Sequence, residues 1–382
     1  MRLLVLAHAP SVHTTLWTRA LQRRGHDVLL LSAHAPDSSA PEGAPAVHGP
    51  VPTRIVGTGF PIRALRYASA RGAVRTEAVR FRPDVTVAHF LPNYGFLAAL
   101  AGLRPLMLVA WGSDLLVNAR RSPFHAARAR WTLRRADLVH VDAALLAEAA
   151  VALGAPPDRV WTRAWGVDVD ALAPSEPWSA RRTRGGEELR ILWTRQLEPL
   201  YDPETFVRAL GKLRAMGVPF RATLAGSGPL RGGLERLARR EGVETLVRFA
   251  GWVERERLTA LYRAHDAYVS LSRSDSTSQS LLEALAAGMI PVVTDISGNL
   301  EWVRHRREGL LVPVGDPDAV AAALAEVAAG GEHLDAIAAR AAALALEKAR
   351  FSDTVRETEE RLRALAGAPS PARAAIATGG AR

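Results

Sequence analysis

Hydroxyl side chains crowd the start of one predicted helix in the second half of the chain. The segment 272–280 reads Ser-Arg-Ser-Asp-Ser-Thr-Ser-Gln-Ser, follows an apolar strand-like run and opens a helix that stops at Gly288. The free N–H groups and the dipole at such a helix start favour an anion. A helix cap, with hydroxyls serving only their own backbone, is the alternative, but it needs fewer hydroxyls than are present. The candidate anion contacts are Ser276, Thr277, Ser278 and Gln279.

Two acidic residues lie eight positions apart in the same segment. Asp275 sits within the hydroxyl cluster, and Glu283 lies about one turn inside the predicted helix. A carboxylate there can accept hydrogen bonds from two neighbouring hydroxyls, as on a ribose. The pattern therefore predicts a ligand that is both anionic and rich in hydroxyls.

This segment resembles the E-x7-E signature of glycosyltransferase family 4, which comprises retaining, nucleotide-sugar-dependent enzymes with the GT-B fold. Asp275 and Glu283 have the signature spacing, with Asp replacing the first Glu. The resemblance covers nearly the whole chain. The evidence for it is that several short motifs occur in the same order as in the family. Those motifs lie at 82–85, 110–114, 165–168, 226–230, 291–299 and 309–313.

The resemblance implies a donor site in the second half of the chain. Arg195 matches the family's diphosphate-binding Arg, although the Lys that usually follows it is missing; a solvated charge at a strand end is the alternative. Glu283 would hold the ribose, and Asp275 would contact the transferred sugar as a catalytic residue. Gly226 and Gly228 match the glycine-rich turn, and the fit of this turn to a dinucleotide fingerprint is poor.

The resemblance also implies an acceptor site in the first half. The loop after the first strand supplies Ser11, His13 and Thr14 as candidate contacts to the diphosphate or the acceptor, with helix capping as the alternative for Ser11. Many family members have a His where this chain has Trp111.

With Trp111 at that position, Asp114 and His89 are the nearest titratable candidates for catalysis, and a satisfied histidine at a strand end is the alternative for His89. Retaining enzymes of this fold are commonly thought to pass the acceptor proton to the leaving phosphate. A missing base therefore does not exclude transfer.

The sequence offers no convincing metal or cofactor site. There is no cysteine, neither lysine fits a P-loop, and the D-x-D pairs at 168–170 and 316–318 are better explained as a hinge turn and a helix cap. The resemblance implies a metal-independent enzyme whose donor substrate is a nucleotide diphosphate sugar. We therefore expect no metal and no cofactor.

Apolar strand-like runs alternate with helical segments through both halves of the chain. Near-continuous Val, Leu and Ala in the strands indicate parallel sheets covered on both faces. With the resemblance, the predicted fold class is α/β of GT-B architecture: two doubly wound Rossmann-like domains facing a cleft. The predicted strands are 2–8, 27–33, 84–90, 106–111, 137–142, 159–165, 190–197, 221–225, 247–252, 267–271, 290–294 and 310–312.

Composition divides the chain into parts. We predict an acceptor-binding domain at 1–170, a linker rich in Ser, Pro and charge at 171–188, and a nucleotide-sugar-binding domain at 189–350. A helix follows at 351–366, with packing against the first domain as one option, and 367–382 is predicted to be a disordered tail.

The formal charge of +10 lies in the first half, where residues 1–186 hold 23 arginines and 13 acidic residues. Sparse aromatic residues among these arginines argue against a nucleic-acid partner. We expect an anionic membrane surface as a partner instead, with an acceptor that is lipid-linked or anionic. The charge concentrates in Arg63, Arg66, Arg71, Arg75, Arg80 and Arg82, and in Arg120, Arg121, Arg128, Arg130, Arg134 and Arg135.

The predicted location is the cytoplasm, with peripheral association at the inner face of the cell membrane, because neither a signal peptide nor a run of about 20 apolar residues is found. The predicted activity is retaining transfer of a sugar to a hydroxyl acceptor (a glycan, a lipid-linked acceptor or a small molecule), with a role in cell-envelope glycan synthesis. A sugar-nucleotide epimerase of the same fold and a non-catalytic nucleotide-sugar-binding protein are the alternatives. Sugar, base, acceptor and oligomeric state stay open.

Overall fold

The computed structural model describes residues 1–34, 51–56, 67 and 69–367. The chain forms two compact units. Unit 1 comprises residues 1–163 together with the C-terminal residues from 354 onward, and unit 2 comprises residues 164–353.

Unit 1 is built on a parallel sheet of seven strands in the order β3-β2-β1-β4-β5-β6-β7. Its inner strands are almost wholly buried, which explains their continuous apolar sequences. The strands are β1 (Arg2–Leu6), β2 (Asp27–Ser32), β3 (Thr53–Ile55), β4 (Val85–His89), β5 (Leu106–Val109), β6 (Leu138–Val141) and β7 (Val160–Thr162).

Helices connect and cover these strands. They are Val12–Arg23, Arg71–Phe81, Phe96–Ala101, Gly112–Leu116, Pro123–Leu133 and Ala144–Ala152, with a π-helical turn at Phe90–Gly95 and 3₁₀ turns at Asn118–Arg120 and Pro157–Arg159. The edge strand β3 is the one strand of the described unit that the sequence patterns did not indicate.

Unit 2 is built on a parallel sheet of six strands in the order β10-β9-β8-β11-β12-β13. Trp193 and Phe206 stack at 5.3 Å in its core, and both are fully buried. The strands are β8 (Leu189–Trp193), β9 (Phe220–Leu224), β10 (Val247–Phe249), β11 (Ala267–Ser270), β12 (Ile290–Thr294) and β13 (Leu310–Val312).

The helices of unit 2 include the one that the hydroxyl-rich segment opens, Gln279–Ala286. It ends as the sequence indicates, with Gly288 in the left-handed region at φ +59°. The others are Val169–Leu172, Trp178–Arg184, Pro203–Ala215, Arg231–Arg240, Arg255–Ala264, Ser297–Leu300, Pro317–Ala329 and Glu332–Lys348, with a 3₁₀ turn at Pro199–Tyr201; the final helix, Phe351–Gly367, continues into unit 1.

Strand order reverses direction at one place in each sheet. In unit 1 the chain moves outward from β1 in one direction and from β4 in the other; in unit 2 the same occurs at β8 and β11. Loops diverge at the carboxyl ends of such strand pairs, and the crevice they leave is where open α/β sheets bind ligands. The topology therefore puts one candidate site in each unit.

The segment 171–188, predicted as a linker, is folded into unit 2. Its helix Trp178–Arg184 buries Trp178, whose indole N–H donates to the carbonyl of Asp266 at 3.0 Å. The compact units divide at 163/164 rather than near 170. An apolar anchor outweighs the polar composition on which the linker prediction rested.

Two further predictions concern the C-terminal region. Residues 354–367 belong to unit 1, where the Glu359 carboxylate accepts from Arg24 Nε at 2.5 Å and lies 3.1 Å from His26 Nε2. The predicted disordered tail lies outside the described residues, apart from Gly367. In the described part of the chain, no helix combines the length and the apolar character that crossing a membrane requires.

Candidate active site

Arg195 and Asp275 lie together at the carboxyl edge of the unit 2 sheet. Arg195 follows β8 and Asp275 follows β11, and these two strands are hydrogen-bonded neighbours through Tyr268 and Leu192. Because parallel neighbours end at the same edge, the topology brings together two residues that are 80 positions apart in sequence.

The Arg195 guanidinium is the centre of this cluster. Its Nη2 donates to Asp275 Oδ2 at 2.6 Å, and its Nη1 donates to Ser278 Oγ at 2.7 Å and Ser280 Oγ at 3.2 Å. The Tyr201 ring lies 4.2 Å from the guanidinium carbon. Among the described residues, the buried Nε has no hydrogen-bond partner. Arg195 is thus a cation fixed by hydrogen bonds, with one N–H donor still unpaired in the described part of the chain, and not a solvated charge at a strand end.

Arg195 stays charged. Burial is the largest single influence and lowers the pKa of Arg195, but the Asp275 carboxylate, with smaller effects from Tyr268, Tyr201 and Tyr262, outweighs it and holds that pKa above its ordinary value. The side chain is only 13% exposed, so the charge acts in surroundings where electrostatic interactions are stronger than in water.

Two buried tyrosines contact Ser280, one of the two serines that contact Arg195. Tyr268 Oη lies 2.7 Å from Ser280 Oγ, and Tyr262 Oη lies 2.9 Å from Thr194 Oγ1 and 3.3 Å from the Ser280 carbonyl. Burial raises the pKa of both tyrosines, so both hydroxyls stay neutral. Ser280 belongs to the hydroxyl cluster that the sequence indicated, whereas sequence reasoning did not assign Tyr262 or Tyr268 to the site. Tyr262 lies on the helix Arg255–Ala264 and Tyr268 on β11, and only tertiary packing brings them to Ser280.

Glycine is required where the predicted turn meets Arg195. A Cβ at Gly226 would lie 2.1 Å from the Arg195 carbonyl oxygen, and one at Gly228 would lie 2.5 Å from the Leu197 carbonyl oxygen. A third glycine, Gly298, packs against the backbone of the hydroxyl-rich segment, where a Cβ would lie 1.9 Å from the Ser276 carbonyl oxygen. These close approaches fix the loops on both sides of the cluster.

The remaining donor-site candidates share the start of the helix Gln279–Ala286. Ser278 caps the helix, accepting from Leu281 N at 3.3 Å while also accepting from Arg195, so capping and site contact coexist. Thr277 is buried, and its Oγ1 accepts from Trp302 Nε1 at 3.4 Å. Ser276 is buried, and Gln279 is half-buried at the first helical position.

Glu283 lies further along the same helix. Burial raises the pKa of Glu283, opposed by the charge of Arg255 and a hydrogen bond from Tyr262. Arg255 Nη1 lies 3.9 Å from Glu283 Oε1. The carboxylate is therefore held near a cation at an edge of the cluster, not exposed to solvent.

Unit 1 contains a cleft of about 860 Å³ at the carboxyl ends of β1, β4 and β5. That volume is within the range of small-molecule sites, about 300–1,000 Å³. Four of the predicted residues line it together with Trp111: Ser11, His13, Thr14 and His89. Ser11 occupies the N-cap position of the helix Val12–Arg23 without a side-chain capping bond, so the capping alternative has no support.

Histidine and tryptophan rings meet in this cleft. The Trp111 ring lies 5.2 Å from the His13 ring and 6.1 Å from the His89 ring. Burial lowers the pKa of His89 to about 3, with smaller effects from His140 and His13, so His89 is neutral at physiological pH. A neutral imidazole can donate through one nitrogen and accept through the other.

Asp114, the other catalytic candidate, lines a separate cavity of about 10 Å³ rather than the cleft. Its Oδ2 accepts from Leu91 N at 2.7 Å, and burial raises the pKa of Asp114 to about 8. Among the described residues its Oδ1 has no hydrogen-bond partner. The bond holds the π-helical turn Phe90–Gly95 of the cleft wall, in which Phe90 has a φ of +68°.

One wall of the cleft is cationic, which sequence reasoning noted only as part of a charge cluster. Arg121 is exposed, and the half-buried Arg128 lies 5.4 Å from the Phe96 ring. His125 Nδ1 lies 2.8 Å from Ser122 Oγ. Arg121, His125 and Arg128 line the cleft together with Asn118.

The two D-x-D pairs cap helices. Asp168 Oδ1 accepts from Ala171 N at 3.1 Å, and Asp316 Oδ1 accepts from the amides of Asp318 and Ala319 at 3.0 Å. Within the ranges that the structure describes, no group of three or more His, Cys, Asp or Glu residues is arranged to hold a metal ion.

Two protein-family models match the chain, one for each part of the described fold. The model for the glycosyl transferase 4-like domain matches residues 9–162, and the model for glycosyl transferases group 1 matches residues 175–343. Together they cover both candidate sites. The chain belongs to the family 4 glycosyltransferases, which have the GT-B fold.

Relatives of this chain include named glycosyltransferases. The D-inositol 3-phosphate glycosyltransferase 2 of Catenulispora acidiphila is 35% identical over 45% of this chain and 43% of its own length. The GDP-mannose-dependent alpha-mannosyltransferase of Mycobacterium tuberculosis is 29% identical over 79% of this chain and 80% of its own length. The chain spans less than half the length of several curated relatives it matches.

Solved structures share the fold. HepE from Anabaena, in complex with UDP, superposes with a TM-score of 0.77 at 19% identity over 96% of this chain and 100% of that one. The sucrose-phosphate synthase of Thermosynechococcus elongatus superposes with a TM-score of 0.78 at 16% identity over 96% and 99%. Both likenesses concern the two Rossmann-like domains.

Proposed function

We propose that this chain is a retaining glycosyltransferase that moves a sugar from a nucleoside diphosphate sugar to a hydroxyl. Unit 2 binds the donor, and the unit 1 cleft binds the acceptor. The bond from C1 of the sugar to the diphosphate oxygen breaks, a bond from C1 to the acceptor oxygen forms, and the acceptor proton passes to the leaving diphosphate.

The observation that carries this proposal is the Arg195 cluster at the switch point of the unit 2 sheet. A buried guanidinium with an unpartnered Nε, next to a helix start, matches the charge and geometry of a diphosphate. Glu283, one turn further on, takes the ribose hydroxyls. Asp275 takes hydroxyls of the transferred sugar.

A metal is not required in this proposal. Arg195 and the amide groups at the start of the helix Gln279–Ala286 stabilise the charge that develops on the diphosphate as the sugar leaves. We expect a chelator to leave the transfer rate unchanged. A rate restored only by a divalent cation would contradict this part of the proposal.

The acceptor we propose is a small polyol or glycan that carries an anionic group. His89, which is neutral, and His13 supply hydrogen bonds to hydroxyls, while Arg121 and Arg128 give the cleft a cationic wall. One relative is named for D-inositol 3-phosphate, a polyol of this kind, and another for GDP-mannose. Inositol phosphates and GDP- or UDP-sugars are therefore the first substrates to test.

We also propose peripheral binding to an anionic membrane through unit 1, which would bring the cleft to an acceptor whose anionic polyol or glycan is linked to a lipid. Phe124 is 70% exposed and Val117 is 58% exposed. Near them in sequence lie exposed arginines, each worth about 1 kcal/mol at an anionic leaflet. These are Arg120, Arg121, Arg130, Arg134 and Arg135; Arg63 and Arg66 of the other cluster lie outside the described residues.

Sedimentation with anionic and with neutral vesicles, at low and high salt, tests this proposal. We expect binding to anionic vesicles that falls as salt rises. The double variant Arg120→Gln/Arg121→Gln should weaken it, and Arg236→Gln in unit 2 serves as a control. Equal, negligible binding to both vesicle types would leave a soluble acceptor as the better proposal.

A screen of nucleotide sugars tests the donor site. A ligand at 100 times its Kd stabilises a protein by about 2.7 kcal/mol, so UDP, GDP and ADP sugars can be ranked by thermal shift. The best donor is then incubated with candidate acceptors, and mass spectrometry and NMR report product and anomeric configuration. Product with inverted configuration would contradict retention.

Two alternatives remain outcomes of the same experiment. Donor binding without transfer to any acceptor would favour a non-catalytic binder, to which the tryptophan at Trp111 gives some weight. Conversion of the sugar while it stays attached to the nucleotide would favour an epimerase.

A further inference from the structure

The cation assigned to the diphosphate is already neutralised in this structure. Both terminal nitrogens of Arg195 are engaged, Nη2 by the Asp275 carboxylate at 2.6 Å and Nη1 by Ser278 and Ser280. A diphosphate that approaches this site meets an ion pair and not a free cation.

Other cations in the region are engaged as well. Arg273 Nη2 donates to Asp202 Oδ2 at 2.8 Å, and Arg255 lies 3.9 Å from Glu283. The chain also lacks the lysine that usually follows Arg195 in the family. A carboxylate 2.6 Å from the arginine opposes any second anion that needs the same nitrogens.

Asp275 has a second anchor that keeps it at the site without Arg195. Its Oδ1 accepts from Ser276 N at 3.0 Å, while its Oδ2 is the atom that contacts Arg195. Arg195 likewise keeps Ser278 and Ser280 when Oδ2 is lost. The two side chains can therefore separate while each retains other partners.

We infer that Asp275 exchanges partners during donor binding. Without donor, Asp275 holds Arg195; with donor, the diphosphate takes Arg195, and the freed Oδ2 accepts hydrogen bonds from hydroxyls of the transferred sugar. This inference rests on the proposed donor site and adds a second role for Asp275 there.

The exchange discriminates between substrate and product. A nucleoside diphosphate sugar supplies sugar hydroxyls that satisfy the freed carboxylate, whereas the product nucleoside diphosphate lacks that sugar and its ribose hydroxyls lie at Glu283. A charged carboxylate oxygen that loses its hydrogen-bond partner is costly in a half-buried site, even though Oδ1 keeps Ser276 N. Asp275 therefore weakens the binding of the product nucleotide more than the binding of the donor, and this difference limits product inhibition.

Calorimetry on the full chain with the free nucleoside diphosphate and with the intact donor tests the inference. The variant is Asp275→Asn, which keeps the shape and removes the charge. The matched control is Asp202→Asn, which removes the carboxylate paired with Arg273; Asp202 has a φ of +53°, a conformation that Asn tolerates. Thermal unfolding of each variant checks that the fold is retained.

For Asp275→Asn we expect the Kd of the nucleoside diphosphate to fall five-fold or more, about 1 kcal/mol. The Kd of the intact donor should stay the same or rise, and product inhibition of the residual turnover should increase. Asp202→Asn should change each Kd less than two-fold. Asp275→Ala, which also removes the carboxylate, should repeat the tighter nucleotide binding.

Different failures point to different errors. If the wild-type chain binds the nucleotide and both Asp275 variants bind it equally well or more weakly, the partner exchange is wrong and the donor site stands. If the wild-type chain binds no nucleotide at all, the donor site itself is wrong. If Asp202→Asn tightens binding as much as Asp275→Asn, the tighter binding results from the loss of a negative charge near the site and not from a partner exchange.

Discussion

The two units differ in whether the ionisable side chains at and near their candidate sites are charged or neutral. In unit 2, Arg195 and Asp275 form a close ion pair, and the pKa of Arg195 is held above its ordinary value. In unit 1, burial is the main cause that raises the pKa of Asp114 to about 8 and lowers the pKa of His89 to about 3. The unit 2 site is centred on an ion pair, whereas burial makes His89 in the unit 1 cleft and Asp114 in the separate small cavity neutral.

This contrast fits the two ligands that we propose. A diphosphate needs a fixed cation, and a buried cation persists when a carboxylate compensates it. A hydroxyl acceptor needs groups that can both donate and accept, which a neutral imidazole does and a charged one does not. In both units the site lies at the switch point of the sheet, so side-chain chemistry distinguishes them and topology does not.

The largest expected effect is on the charged site. Arg195→Gln should lower kcat/KM for the donor at least 100-fold, about 2.7 kcal/mol, because at least two charge-assisted hydrogen bonds to the diphosphate are lost. Steady-state kinetics with varied donor measure it. Arg273→Gln, a matched arginine paired with Asp202, should stay within three-fold. A similar loss in both variants would mean that Arg195 has no special role.

The neutral character of unit 1 predicts a pH dependence of stability. Asp114 releases its proton from about pH 4 when unfolded but holds it to about pH 8 when folded, so its contribution to stability falls as pH rises through that window. One proton gives a slope of about 1.4 kcal/mol per pH unit. Asp114→Asn, which mimics the protonated acid, should lack this fall.

Urea denaturation of wild type and Asp114→Asn at pH 5, 6, 7 and 8 measures the difference. The free energy of unfolding of the variant, relative to that of wild type, should increase with each step up in pH. Parallel curves would show that Asp114 is ionised in the folded chain, and the contrast between the two sites would then be wrong.

Glu283 tests the hydroxyl-binding part of the donor site. Glu283→Gln keeps the shape but loses the charge, and hydrogen bonds to a charged group contribute about 1.5–3 kcal/mol. We expect nucleotide affinity to fall about ten-fold, 1.4 kcal/mol, in calorimetry. An affinity equal to wild type would remove Glu283 from the ribose role. Glu256→Gln, an exposed residue at the start of the helix Arg255–Ala264 in the same unit, is the control.

The smallest expected effect is on acceptor binding, in a variant that should leave nucleotide binding unchanged. His13→Gln removes a ring that contacts Trp111 in the unit 1 cleft. We expect KM for the acceptor to rise about three-fold, 0.6 kcal/mol, with nucleotide affinity unchanged. A variant with normal acceptor KM and weakened nucleotide binding would place His13 at the diphosphate instead.

Local patterns in the sequence predicted most of the elements. Continuous apolar runs predicted the buried parallel strands, such as β8, predicted at 190–197 and found at Leu189–Trp193, and β12 at 290–294. The hydroxyl cluster and Gly288 marked the two ends of the helix Gln279–Ala286. These features depend on near neighbours in the chain, which is why sequence alone determined them.

Tertiary structure decided which of these residues meet and in what protonation state. Arg195 and Asp275 pair because β8 and β11 are neighbours, and no local pattern encodes strand order. Burial likewise makes Asp114 and His89 neutral, and burial depends on everything that packs around a group. Sequence determined the chemical groups available to this protein, while strand order and burial, both set by long-range packing, decided their partners and charges.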